Sequence, residues 1–121
     1  MMEVHILFLL LIKHTIADLG LQSTWMWGRA HEKKNWPFGG QQHYLHHSVL
    51  TFIVMILFVD FTTAITFALL DHLAHWHIDF GKHHLNTYLG VTRKDIVWWW
   101  TTVADQLLHF LTYYLLIIYL L

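Results

Sequence analysis

The stretch 69–84, LLDHLAHWHIDFGKHH, sets five histidines and two aspartates into what otherwise reads as an apolar helix. At about 3.6 residues per turn, His72, His75, Trp76, Asp79 and His83 fall within roughly 80 to 100 degrees of arc, while Asp71, His77 and His84 project elsewhere. One face is therefore expected to hold imidazoles above a carboxylate. Its core, His75-x-x-x-Asp79 followed by Phe80-Gly81, has a counterpart in His14-x-x-x-Asp18 followed by Leu19-Gly20.

Around this stretch the chain is too apolar for an ordinary soluble domain. Of its 121 residues 56% are hydrophobic, 17% aromatic and only 12% charged, against about a quarter charged in typical globular proteins. So few charges would not cover a soluble surface. The fold class that follows is all-α, an integral membrane four-helix bundle forming a single transmembrane domain over 1–121. Helices are expected at about 2–26, 41–58, 62–84 and 96–121. The apolar run Val4 to Ile12 has no basic segment before it and no small-residue cleavage site after it, so it reads as part of the first helix and not as a signal peptide. Trp25 and Trp27 close that helix like an interfacial aromatic belt.

A connector with Pro37 and Gly39-Gly40 follows. Asp60 ahead of Thr62 and Thr63 supplies cap chemistry for a tight turn between helices 2 and 3. The segment from Asn86 to Asp95 reads as a second connector, and Trp98-Trp99-Trp100 opens the last helix. Arg29, Lys33, Lys34, Lys82, Arg93 and Lys94 lie in or beside the first and last connectors, so both termini are expected on the non-cytoplasmic side. His14 and Asp18, His43 to His47, His75 to His83, and Asp105 and His109 would then all reach the cytoplasmic half of the bilayer. The shift of 61 residues from His14 to His75 raises the reading of two pseudo-repeated helical hairpins.

Net charge and cysteine content exclude several classes. A formal net charge of −1, with the basic residues in short clusters, provides no field for nucleic acid. The absence of cysteine removes disulfides, thiolate ligands and covalent haem attachment. Any metal must be held by nitrogen and oxygen.

Ionisable groups inside a bilayer are costly and mark function or an internal partner. A lone histidine such as His5, His77 or His84 reads as interfacial or hydrogen-bonded. The paired positions differ. His14/Asp18, His75/Asp79 and Asp105/His109 each place two donors one turn apart, a spacing that lets both reach one ion. With His47 the expected metal ligands are four histidines and three aspartates, more than one tetrahedral ion uses, which favours a dinuclear site with Asp18 or Asp79 bridging. Such a ligand set suits zinc first, with manganese, iron or cobalt also compatible. Gln22, Lys82 and Gln106 are the expected supporting residues, with Ser48 and Thr102 as further hydrogen-bond partners. Lys13 and Lys82 could instead snorkel.

HTIADLGLQSTWM (14–26), HHSVL (46–50), LAHWHIDFGK (73–82) and ADQLLHFLTYYLL (104–116) resemble the successive motifs of a family of small bacterial and phage membrane proteins known as a domain of unknown function. That pattern, H-x-x-x-D-[F/L]-x-x-Q, a histidine opening helix 2, H-x-x-x-D-x-x-K and D-Q-x-x-H, maps onto His14, Asp18, Gln22, His47, His75, Asp79, Lys82, Asp105, Gln106 and His109. The resemblance implies a multi-span fold in the bacterial inner membrane and no reaction. More distantly the chain is similar to membrane proteins classed as metal-dependent hydrolases. Histidines 43, 46, 72, 83 and 84 and the triple Trp depart from the pattern.

The leading expectation is a membrane-embedded divalent-metal protein that hydrolyses a lipid-like or phosphorylated substrate, with Lys82, Arg93 or Lys94 near an anionic headgroup. A haem-binding electron carrier, an ion or proton conduit, and an accessory subunit with a structural metal are the alternatives. A plain hydrogen-bonded His–Asp network linking helices is the simplest of all. Membrane lipid is the expected partner, and a homo-oligomer or larger membrane complex is compatible with the composition.

Overall fold

The computed structural model describes residues 1–21 and 40–121, and within them the chain is all-α with no strand. Helix α1 spans Met2–Thr15 and continues as a π-helical turn over Ile16–Leu21. Helix α2 spans Gln41–Met55, α3 Phe61–Leu89 and α4 Ile96–Leu120. The expected end of the first helix near Met26, the Trp25 and Trp27 belt and Gln22 lie outside the described residues. A π-helical turn accommodates one residue more than an α-helix would over the same rise, and such turns recur where a side chain must be re-aimed.

Helix boundaries follow local chemistry. Asp60 caps α3, accepting from the Thr63 amide at 3.1 Å and the Thr63 hydroxyl at 2.7 Å. These two bonds, the hydroxyl first, hold the Asp60 carboxyl below the usual carboxylate range. Helix α3 runs five residues past the expected end at His84, to Leu89. His83 and His84 do not stop it; Gly90 does. With φ +66, Gly90 takes the left-handed position, and the amides of Gly90 and Val91 return to the carbonyls of Thr87 and Asn86 at 3.1 Å each. A Cβ at Gly90 meets no neighbour, so Gly90→Ala should cost roughly 1–2 kcal/mol from backbone strain alone. Thermal unfolding of the variant measures this directly, and an unchanged midpoint would remove the left-handed cap.

The helices form a ring in which α1 packs on α2, α2 on α3, α3 on α4 and α4 back on α1. Neighbours run antiparallel. Along α3 and α4, Asn86 faces Thr101, Lys82 faces Asp105, and Asp79 faces His109. The interior is layered along the bundle axis. At the end carrying the chain termini lies an apolar plug of Ile6, Leu10, Met55, Ala64, Phe67, Tyr113 and Ile117. Next comes Lys13, whose ammonium meets Asp71 at 2.6 Å and the His47 carbonyl at 3.3 Å. Thr51 donates to the same Asp71 oxygen. Histidines and aspartates fill the following layer, and Lys82–Asp105 and Asn86–Thr101 close the sequence of layers toward the α3–α4 connector.

Inside and outside are inverted relative to a water-soluble bundle. Among the described residues 12 buried ones are polar or charged and only 10 are hydrophobic, whereas 34 large hydrophobic residues are exposed. Ile96–Leu120 is the one helix among the described residues that is by itself long and apolar enough to cross a membrane. Helices α1 and α2 have 14 and 15 residues, and the histidines and aspartates of the 29-residue α3 lower its mean hydropathy.

The buried face of α3 also differs from the expected one. Asp71 belongs to it, with His75 and Asp79, while His72, Trp76 and His83 lie at its edge. At about 100 degrees per residue the stripe is centred on His75, roughly 50 degrees round from the expected centre. Lys13 does not snorkel; it is 4% exposed and neutralises Asp71 within the bundle.

Candidate metal centre

Each helix delivers its donors from adjacent turns of one face. Helix α1 and its π-helical turn supply His14 and Asp18, α2 supplies His43 and His47, α3 supplies His75 and Asp79, and α4 supplies Asp105 and His109. Five imidazoles turn Nε2 inward. Asp18 Oδ1 lies 3.1 Å from His43, 3.0 Å from His47 and 3.6 Å from His75, and Asp18 Oδ2 lies 3.2 Å from His14. Asp79 Oδ2 lies 3.5 Å from both His43 and His75, and its Oδ1 lies 3.0 Å from His109. Asp105 Oδ1 is 3.5 Å from His109.

Asp18 and Asp79 therefore each present one oxygen to one side of the cluster and one to the other. Three overlapping sets have all donor atoms within 4.8 Å of one another: Asp18, His43, His47 and His75; His14, His75 and His109; and Asp18, Asp105 and His109. Donors arranged tetrahedrally around an ion at 2.0–2.1 Å sit about 3.3 Å apart, and the spacings from 3.0 to 3.6 Å bracket that value. The residues fit divalent metal on a second ground. His75 is fully buried, yet neither ring nitrogen makes a hydrogen bond, and Asp105 Oδ1 has none either. Buried polar atoms are rarely left so, and a cation in the layer would give a partner to the inward Nε2 of His75 and to Asp105 Oδ1.

The surrounding residues orient this inner set. Tyr113 Oη lies 3.0 Å from His14 Nδ1, fixing the ring so that Nε2 faces inward. Gln106 donates to Asp18 Oδ2 at 3.0 Å and to Asp105 Oδ2 at 3.1 Å, while its carbonyl lies 3.0 Å from His14 Nε2. Lys82 reaches Asp105 Oδ2 at 3.5 Å, its ammonium 5.4 Å from the Trp98 ring centre. His47, His75 and His109 form a stack with centroids 3.6 and 4.0 Å apart.

All seven residues singled out by spacing, His14, Asp18, His47, His75, Asp79, Asp105 and His109, meet in this layer. Lys82 and Gln106 stand beside it. Gln22 is outside the described residues. Ser48 and Thr102 are not part of the site: Ser48 donates to the Ala68 carbonyl of α3, and Thr102 to the Trp98 carbonyl of its own helix. His43 was missed. It stands one turn before His47, the same i, i+4 signature used to select the other pairs, and the site takes both. His72 instead lies 2.9 Å from Gln41 Oε1, and His84 is exposed. A shift of 62 carries His43 and His47 onto Asp105 and His109, one residue more than relates His14 and Asp18 to His75 and Asp79. The two hairpins thus contribute donor pairs at corresponding positions.

A family model described as "Protein of unknown function (DUF3307)" matches residues 6–121. No curated protein and no solved structure matches the chain.

Proposed function

Since the chain belongs to the DUF3307 family, whose description assigns no reaction, we infer from its site that it is a membrane-embedded, dinuclear metal hydrolase. The observation that carries this is the convergence of five inward Nε2 atoms with both oxygens of Asp18 and Asp79 and one of Asp105. A pair of ions would be held by His43, His47 and His75 on one side and by His14, His109 and Asp105 on the other, with Asp18 and Asp79 shared between the two. Two divalent ions would also offset the carboxylates of Asp18, Asp79 and Asp105, which a hydrogen-bonded network of neutral imidazoles would not. Zinc is the first expectation for this nitrogen and oxygen set.

A bilayer as solvent is supported by the inverted interior, since the 34 large hydrophobic residues exposed among the described ones would be a severe association hazard in water. Lipid against α1 to α4 removes that cost. With the basic connectors inward, both termini face away from the cytoplasm and the His/Asp layer sits in the cytoplasmic half.

When bound, a pair of divalent ions lowers the pKa of a bound water and polarises the oxygen of a phosphoryl or acyl group. The chain's part is to hold the donors rigidly. Tyr113 and Gln106 fix ring and carboxylate orientation, Lys82 offers a positive charge at the edge of the layer, and the apolar plug keeps water from entering at the far end. A polar route through the whole bundle, as a conduit would need, stops at that plug. A porphyrin would have to part imidazoles stacked 3.6 to 4.0 Å apart.

Elemental analysis of detergent-purified protein tests the reading. Two equivalents of a divalent metal per chain are expected, with loss on prolonged chelation accompanied by lowered thermal stability. A stable protein with less than a tenth of an equivalent would sink it.

A further inference from the structure

A groove of about 580 Å³ runs between α3 and α4 along the outside of the bundle, within the range of roughly 300–1,000 Å³ usual for ligand sites. Its walls are mostly apolar, including Leu85, Val97, Trp100 and Leu108. Three ionisable residues interrupt them: His77, and Lys82 and Asp105, which belong to the candidate metal centre. The groove thus connects the lipid-facing surface with the His/Asp layer.

Gly81 explains why the groove is open. It lies in the interior of a 29-residue helix, where glycine is disfavoured by about 1 kcal/mol relative to alanine. No backbone conformation requires it, because among the described residues the glycines with positive φ are Gly40 and Gly90. A Cβ built there meets nothing within 4 Å. The missing side chain leaves a depression on the wall of α3, one residue before Lys82. Opposite, Ala104 keeps the wall of α4 equally low one residue before Asp105.

We propose that this groove seats one acyl chain of an anionic phospholipid, with the headgroup phosphate drawn to the Lys82 ammonium and so to the edge of the metal centre. The inference rests on the membrane-embedded hydrolase reading and names the substrate class for that site. Complementarity is twofold. Apolar walls match the chain, and Lys82 is the cation at the groove's inner side. It is held there by Asp105 at 3.5 Å and by the Trp98 ring, which keeps the ammonium from turning outward. A neutral or zwitterionic lipid gains the wall contacts and less of the charge pairing. A water-soluble phosphate ester gains the charge and none of the walls.

The test uses full-length protein in phosphatidylcholine nanodiscs containing phosphatidic acid with a photoactivatable diazirine midway along one acyl chain. Label should concentrate on peptides carrying Ile78 and Leu108, the lining residues on the bilayer-centre side of Lys82. Gly81→Phe, and independently Ala104→Phe from the opposite wall, should lower that label at least tenfold. Ile53→Phe, a bulky change on the exposed side of α2, should leave it unchanged. Lys82→Met should reduce phosphatidic acid labelling to the level of a phosphatidylcholine probe of the same chain. Label spread evenly over exposed leucines of all helices, or unaltered by both groove-filling variants, overturns the proposal. Metal content measured on the same samples separates the two readings. Metal retained while label is lost upholds both, whereas metal-free wild type with focused, Lys82-dependent label upholds the groove and overturns the metal centre.

Discussion

His75→Ala is expected to lower bound metal from two equivalents to at most one and to weaken the remaining affinity by at least two orders of magnitude. Its Nε2 stands 3.6 Å from Asp18 Oδ1 and 3.5 Å from Asp79 Oδ2, and His75 belongs to two of the three donor sets. It is also the middle ring of the stack, so its removal opens a gap between His47 and His109. Removing an orienting residue beyond the ligands typically costs 10–100-fold in metal affinity, and removing a donor should exceed that. Asp79→Ala should lose both ions, since one of its oxygens faces each side of the cluster. Metal analysis read beside helical circular dichroism separates loss of ligation from loss of fold. Wild-type metal content in a folded His75→Ala protein would refute the assignment.

Lys13→Met is expected to destabilise the protein by about 3–5 kcal/mol, because it leaves the Asp71 carboxylate buried without its cation. Asp71 is 1% exposed and depends on the Lys13 ammonium and the Thr51 hydroxyl. The double variant Lys13→Met/Asp71→Leu should recover most of that loss, since apolar replacements of a buried pair are often neutral or better. Thermal unfolding in detergent across the double-mutant cycle reads the coupling. Additive losses would mean that the two residues do not act as a pair. The pair lies between the apolar plug and the metal layer, and Lys13 also holds the His47 carbonyl. Some loss of metal affinity should therefore accompany the single variant and be partly restored in the double.

The convergence of the four helices on one polar layer was legible because charge in an apolar helix is conspicuous and its i, i+4 spacing fixes a face. What that spacing could not fix was the centre of the face on α3. Histidines of similar type surround the true stripe, and only packing against Lys13 decides that Asp71 points in while His72 and His83 sit at the edge. His43 was readable by the same rule as its partners and was set aside as one of several extra histidines. The end of α3 lies past the expected one because Asn86 and the polar residues that follow it suggest a connector, when Gly90 is the stronger stop. Nothing in the sequence periodicity announces the π-helical turn, which is a property of backbone bonding, not of composition.

That turn has a consequence for length variation. Over Ile16–Leu21 the first helix holds a surplus residue relative to an α-helical path. A deletion of one residue there would leave a continuous α-helix, with every amide still satisfied. Made at Ile16 or Ala17, ahead of the aspartate, it would nevertheless swing Asp18 through roughly 100 degrees away from His43, His47 and His75. Shortened relatives that keep the aspartate should therefore be expected to fold and assemble while lacking one bridging carboxylate, so that backbone register at a single turn separates a loaded protein from a mere scaffold.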